Sequence, residues 1–428
     1  MTATPATPAA TTVAAARPSL FAPLGVHDFR VSLAIQLVSS VRQPMQFFTQ
    51  AWFINSVAPT DQRVAMLGLL ATLQGVSYLA WVLFGSALSD RVPRRTALIV
   101  THLAGAAWLG GTALMLRVPS VVQGEGIWFW IMLVVFAEFG VMNAQDIPAR
   151  TAVASETVPP QMRTMAITLH WLVFACALLI AAPSTGWLIG RIGFANIYLI
   201  AMGSHLLTVV GLRFLRAGRT AADPDASHES LLRNVYQGIR YLRTDATMRW
   251  AVLLTVIVIA AGSVAMGILI ATWISDMLHL DAAGWGRLAL FWGAGGVLAN
   301  GFLVSRGNYR RKGLLFLGGA TSFAVAVLVF SQTRSIPVVA LTFIAGGGGS
   351  QLVITVGSAM AQQLVPSHLL GRVMGLLSLA QGVSSLSGFF LGLLGQAIGL
   401  ELLYPALGVF MLAITALTAI RSPLRHLD

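Results

Sequence analysis

The sequence predicts an all-α membrane protein of twelve transmembrane helices, built as two pseudo-symmetric six-helix bundles. Three observations predict it. Hydrophobic residues make up 56% of the 428 and charged residues only 10%. The apolar residues fall in long blocks, and Trp250 to Ile274 and Gly313 to Ser331 carry no charge over the length an α-helix needs to cross a ~30 Å hydrocarbon core. Finally, the two halves of the chain are punctuated alike.

The spans expected in the first half are 30–54, 64–88, 96–117, 127–149, 164–189 and 194–215. Those in the second half are 249–277, 284–304, 313–332, 336–359, 372–396 and 400–420. The chain then divides into a disordered cytoplasmic tail at 1–26, a first bundle at 27–215, a linker at 216–248, a second bundle at 249–420 and a tail at 421–428. The first tail is mostly Ala, Thr and Pro and lacks the charged start and apolar core of a signal peptide. In the linker, Leu231, Leu232, Val235, Ile239 and Leu242 recur at helical spacing beside Arg233, Arg240 and Arg243. This is the pattern of an amphipathic helix on the cytoplasmic face or of a solvated linker helix.

Charge sets the orientation. The breaks at 89–95, 216–243 and 305–312 and the last residues gather arginines, whereas the opposite loops hold them singly: Arg63, Arg117, Arg191, Arg287 and Arg334. The bias predicts a multi-pass protein of the cell (inner) membrane with both termini cytoplasmic. It also accounts for the net charge of +12 without a nucleic-acid partner.

Composition excludes several kinds of chemistry. Lys312 is the only lysine and follows Arg310 and Arg311, so no Gly-rich phosphate loop ending in Lys-Ser/Thr is present. There is no His-Glu-x-x-His pattern and no Gly-x-Ser-x-Gly elbow, and Cys176 is the sole cysteine. No enzyme, cofactor or metal site is expected.

The repeat is visible in the loops. Gly85-Ser-Ala-Leu-Ser-Asp-Arg-Val-Pro-Arg-Arg95 aligns with Gly301-Phe-Leu-Val-Ser-Arg-Gly-Asn-Tyr-Arg-Arg311. Val158-Pro159-Pro160, Arg163 and Met165 are echoed by Val365-Pro366, Arg372 and Met374. Duplicated bundles place a substrate site near mid-membrane, where the halves meet.

Gly85 to Arg95 resembles the signature loop of the major facilitator superfamily, with Leu88, Asp90, Arg91, Arg94 and Arg95 in register, although Pro93 replaces the usual glycine. Pro148-Ala149-Arg150, Val158-Pro159-Pro160 and Gly371-Arg372-Val373-Met374 resemble the branch that contains the enterobactin exporter and macrolide efflux proteins. Span five keeps Pro183 and Gly186 of that superfamily's exporter motif, residues suited to a kink and to close packing. The resemblance implies the major facilitator fold and alternating access. It also implies a cytoplasmic gate in which Asp90 accepts bonds from the start of span eleven, near Gly371 and Arg372. Asp146, near the expected end of span four, is a partner for Arg94 or Arg95, and Arg91 and Arg150 complete the gate set.

Charges at bilayer depth are functional candidates by default. Arg42 and Glu138 lie about midway along spans one and four at ~1.5 Å per residue, and the resembled fold lines its cavity with spans one, four, seven and ten. The pair is either a proton-coupling carboxylate tuned by an arginine or a fixed ion pair holding the bundle. Gln36, Gln43, Gln46 and Gln50 form a polar face of span one that must look inward, to bind substrate or to line water. Pro44 interrupts that helix. In span ten, Gly346, Gly347, Gly348 and Gly349 permit a hinge or a close helix contact, and Gln351 and Thr355 continue a polar face. Met266 and Trp273 of span seven join the cavity candidates, Trp273 also as an interfacial anchor, with Asp276 near the outer end. Of the histidines within spans, His102, His170 and His205, the last is the deepest.

The expected function is alternating-access export of a bulky, partly apolar small molecule, drug-like or siderophore-like, driven by proton entry. The expected partners are that substrate, protons and membrane lipid, and the expected state is monomeric. The alternatives are proton-coupled import of a small organic anion anchored by Arg42, and a non-transporting membrane sensor.

Overall fold

The computed structural model describes residues 21–85, 93–216, 231–306 and 311–426, and all regular structure among them is helical. The first half contains α1 (His27–Val57), α2 (Arg63–Ala80), α3 (Arg94–Met115), α4 (Ile127–Phe136), α5 (Glu138–Glu156) and α6 (Arg163–Phe214). A linker helix α7 (Leu231–Thr244) follows. The second half contains α8 (Ala246–Ser263), α9 (Ile270–Asp276), α10 (Ala282–Arg306), α11 (Lys312–Ser331), α12 (Ile336–Leu364), α13 (Ser367–Ile398) and α14 (Leu400–Arg421). Among the described residues, nine helical runs are long and apolar enough to cross a membrane.

Local sequence explains the breaks. α6 holds both spans expected at 164–189 and 194–215, joined at Gly193, whose φ of 74° is open to glycine and strained for other residues. α4 and α5 are separated only at Ala137, where the ladder tightens into i→i+3 bonds. Short turns of π-helix extend α2 at Trp81–Gly85 and join α8 to α9 at Val264–Leu269. Asp245 caps α8 by accepting from the Met248 amide at 2.9 Å. Of the expected N-terminal tail, Ala22–Gly25 form a 3-10 turn with Pro23 buried. Contrary to the sequence expectation, Pro44 does not interrupt α1, which runs helical from His27 to Val57. Such a proline is tolerable because close helix neighbours support the backbone around it.

The halves meet along two seams of small residues. On α2 and α13, a Cβ at Gly68 would lie 2.8 Å from the Gly392 Cα, and one at Gly75 2.7 Å from the Ser385 side chain. On α6 and α10, Gly186 faces the Ala282 carbonyl and Gly286 faces Ala182 and Pro183. Small residues let helix backbones approach in lipid, where hydrophobicity gives no drive to associate. Within the second half, α12 stays helical through Gly346 to Gly349, which pack against Trp292, Gly295 and Gly319.

The two faces of the bundle differ. On the face where α1 begins and α14 ends, the Arg216 amide donates to Asp28 and Gly313 packs on Leu424. On the far face, polar bonds cross between halves: Arg63 to Asp276 at 2.8 Å, Asn55 to Ser275 at 3.2 Å, Thr272 to Asn55 at 2.8 Å, and the Val64 amide to Gln396 at 3.1 Å.

Candidate transport site: a buried charge network beside an uncharged cavity

α1 and α5 run antiparallel through the first half and exchange polar side chains in register. Arg42 Nη2 donates to Asp146 Oδ2 at 2.9 Å, and Arg42 Nη1 donates to Gln46 Oε1. One turn along α5, Arg150 Nε donates to Asp146 Oδ1 at 2.7 Å, and Arg150 also donates to Gln36. Towards the far face, Gln46 Nε2 lies 3.3 Å from both oxygens of Glu138. α3 and α6 close the back of the network: His102 Nε2 is 3.2 Å from Asp146 Oδ1, and His102 Nδ1 is 2.7 Å from His205 Nδ1. All these side chains are buried, as charges in an apolar bundle must be when they serve one another.

This arrangement corrects the expected partners. Arg42 pairs with Asp146, and Gln46 stands between Arg42 and Glu138. Asp146 does not meet Arg95, which donates instead to the carbonyls of Leu212 and Arg213. The cause is helix length. Span four was expected to end at 149, but α5 continues to Glu156, so Asp146 lies ten residues, or about 15 Å, inside the helix end. Asp146 and Arg150 therefore belong to the network. Asp90 and Arg91 lie outside the described residues, as does the Arg94 side chain. Gly371 and Arg372 lie in the first turns of α13, and the Arg372 carbonyl faces Gly238 of the linker helix.

A cavity of about 770 Å³ lies between the halves. The first half contributes Gln43, Pro44, Phe47 and Phe48 of α1, Gln74 and Tyr78 of α2, Phe139 and Asn143 of α5, and Trp171 and Phe174 of α6. The second half contributes Thr255 and Ile259 of α8, Met266 and Gly267 of the π turn, Trp285 and Trp292 of α10, Phe343 and Ser358 of α12, and Met374 and Leu377 of α13. Among the described residues, no charged side chain lines the cavity. Towards the far face the cavity is closed by Phe48, 4.4 Å from Trp285 between ring centres, with Trp52 at 6.0 Å from the same ring.

Of the expected cavity residues, Gln43 and Met266 line this space, with Pro44 beside them. Gln36 and Gln46 turn to the charge network, and Gln50 accepts from Gln74 at 2.7 Å. Trp273 is neither cavity wall nor interfacial anchor: it is 1% exposed and packs against Phe330 and Tyr404. Gln351 and Thr355 bond to each other at 3.0 Å, and Thr355 reaches Asn300. His205 is buried behind the network. Gln74, Asn143 and the tryptophans of α6 and α10 were not singled out from sequence. The i, i+4 spacing of Asp146 and Arg150 was the available sign of a buried pair.

The family model for the Major Facilitator Superfamily matches residues 45–389. The chain belongs to that superfamily, and it is a membrane transporter. It is similar to the multidrug efflux pump Tap of Mycolicibacterium fortuitum, 23% identical over 87% of this chain and 90% of that one. A shorter stretch is 30% identical to the citrate-proton symporter of Klebsiella pneumoniae, over 32% of this chain and 31% of that one. In fold it resembles a bacterial homologue of the human lysosomal transporter Spinster, solved inward-facing and unoccupied. The TM-score is 0.65 at 15% identity, covering 93% of this chain and 95% of that one.

Proposed function

We propose that this protein is a proton-coupled exporter of bulky, partly apolar small molecules that are neutral or cationic. In this role the chain crosses the membrane twelve times with both termini cytoplasmic, in two bundles joined by the linker at 216–248. The observation that carries it is the separation of charge from cavity. The walls between the halves are aromatic, amide and aliphatic, whereas the charges at that depth are bonded within the first half. A wall of this kind suits a large hydrophobic substrate oriented by a few amides. Aromatic faces also accept cations.

Glu138 is the group we assign to the coupling proton. Protonating Asp146 would strip a partner from Arg42 and Arg150 together. Protonating Glu138 breaks no ion pair, because the Gln46 amide is what holds it. The change is passed on through Gln46, whose other end holds Arg42. It reaches α1, whose next residues, Phe47 and Phe48, are cavity wall. Farther along the same helix, Asn55 bonds to Thr272 across the far face. One helix thus touches proton site, substrate wall and outer closure, which is the connection alternating access requires. The far-face bonds and the Phe48–Trp285 contact shut the cavity on that side. Multidrug efflux, the activity of the similar pump Tap, is of the same kind.

An importer of organic anions is favoured less. Its anchor would be Arg42, which is 1% exposed and occupied by Asp146 and Gln46. A purely sensing role leaves the cavity unexplained.

The test is proton flux in inside-out vesicles with an acidic lumen, challenged with a panel of hydrophobic cations, neutral drugs and organic acids. Luminal alkalinisation triggered by cations or neutral compounds, and lost in Glu138→Gln, is the expected result. A response to organic acids alone, or full flux in Glu138→Gln, would overturn the proposal.

A further inference from the structure

The linker helix α7 has two faces with different tasks. Gly238 is buried on α13, where an added Cβ would meet Leu376 at 2.7 Å and the Arg372 carbonyl at 3.3 Å. That contact is only five to nine residues from the start of α13, so α7 lies against the edge of the membrane-spanning bundle. The opposite stripe, at i, i+3, i+4 and i+7, is Tyr236, Ile239, Arg240 and Arg243, all exposed, with Tyr236 at 66% and Ile239 at 43%. It carries no acid. The nearby Asp245 is occupied, accepting from the Tyr241 hydroxyl at 3.0 Å and the Met248 amide at 2.9 Å.

We propose that this stripe docks anionic lipid headgroups, and that lipid held there steadies the adjoining end of α13. A ring and a branched aliphatic exposed beside two guanidiniums suit the boundary between acyl chains and headgroups, where the apolar groups enter and the arginines pair with phosphate. α7 is also fixed at its other end. Arg249 of α8 donates to the Arg243 carbonyl at 3.3 Å, and the Asp245 cap begins α8 in the same turn. Two helices that α7 touches are cavity walls: α8 through Thr255 and Ile259, α13 through Met374 and Leu377. Anionic lipid on α7 therefore acts on the walls at the terminal face without touching substrate.

Hydrogen exchange of the full chain in nanodiscs tests this without any transport assay. Phosphatidylcholine discs are compared with discs that also contain phosphatidylglycerol. Amides of 236–243 and 370–377 are expected to exchange more slowly in the anionic discs, with each arginine contributing about fivefold to the lipid preference. Arg240→Gln with Arg243→Gln should abolish the difference, while Arg240→Lys with Arg243→Lys should keep most of it. Unchanged exchange over 270–276 checks that the variants fold. Equal exchange in both discs would overturn the proposal. So would a difference that survives the double Gln variant, or equal slowing by inorganic phosphate in phosphatidylcholine discs, which would mark a soluble-anion site.

Discussion

Arg42 and Asp146 form a buried ion pair at 2.9 Å that ties α1 to α5 inside the first half. Glu138, the first residue of α5, is reached by the Gln46 amide instead of a guanidinium. Two acids about two turns apart thus have different partners, and the proposed function gives Asp146 a structural role and Glu138 a transporting one.

The stability consequence can be measured directly. Asp146→Asn leaves Arg42 and Arg150 buried without their shared carboxylate, a loss of about 3–5 kcal/mol for a broken buried pair. Glu138→Gln replaces a carboxylate by an amide that Gln46 can still bond, so it should cost no more than about 1 kcal/mol. Thermal unfolding of purified protein should show Asp146→Asn melting well below wild type and Glu138→Gln close to it. Similar melting of the two variants would contradict the division of roles.

On the proposed coupling route, Gln46 links Glu138 to the cavity wall of α1. Gln46→Leu removes both its bonds, to Arg42 and to Glu138, while the Arg42–Asp146 pair remains. Counterflow, which exchanges substrate without a proton gradient, should persist. Uphill transport driven by protons should fall by about tenfold or more, about 1.4 kcal/mol of coupling. Equal loss of both activities would make Gln46 a packing residue.

Much of the fold was legible in the sequence because lipid imposes a simple rule: long uncharged blocks become helices. The polar face of α1 was legible for the same reason, since glutamines cannot face acyl chains. The partners were not. The stretch 151–156 that prolongs α5 is helical but not strongly apolar, so the span appeared to end early and Asp146 appeared to sit at a gate. The His102–His205 contact joins residues 103 apart, on helices whose relative rotation the sequence does not display. Cavity tryptophans were equally hidden. Trp285 and Trp292 line the cavity while Trp130 is an exposed residue on the bundle, yet all three stand in apolar blocks. In a membrane protein both sides of a helix are apolar, so hydrophobicity does not tell the inside from the outside.

The far-face closure should depend on the ion pair between halves. Arg63 and Asp276 are 2.8 Å apart with side chains 18% and 38% exposed, so the pair is worth no more than about 1 kcal/mol. Arg63→Ala should therefore shift the balance towards far-face opening by at most about fivefold. Spin-label distances across that face report the shift. Exchanging the residues, Arg63→Asp with Asp276→Arg, should restore the wild-type distribution. An unchanged distribution in Arg63→Ala would assign the closure to the remaining far-face contacts, the Asn55, Thr272 and Ser275 bonds, the Val64–Gln396 bond and the Phe48–Trp285 packing.

Substrate recognition should rest on the aromatic walls rather than on charge. Trp292 lines the cavity and is held edge-on by Phe323 and Phe343, with ring centres 5.7 and 6.1 Å away, and the α12 glycines pack against it from behind. Its ring is thus fixed in place before substrate arrives, which limits the entropy lost on binding. Trp292→Ala should weaken binding of aromatic cations and neutral aromatic compounds by about 3- to 10-fold, the range expected for one ring contact. Trp187→Ala offers a control, because Trp187 is 53% exposed and pairs with Arg191 away from the cavity. Equilibrium binding of a fluorescent hydrophobic cation to both variants decides the matter. If Trp292→Ala binds as wild type does, the uncharged wall is not the recognition surface. If Arg42→Ala alone loses an organic anion, the anion-import reading takes its place.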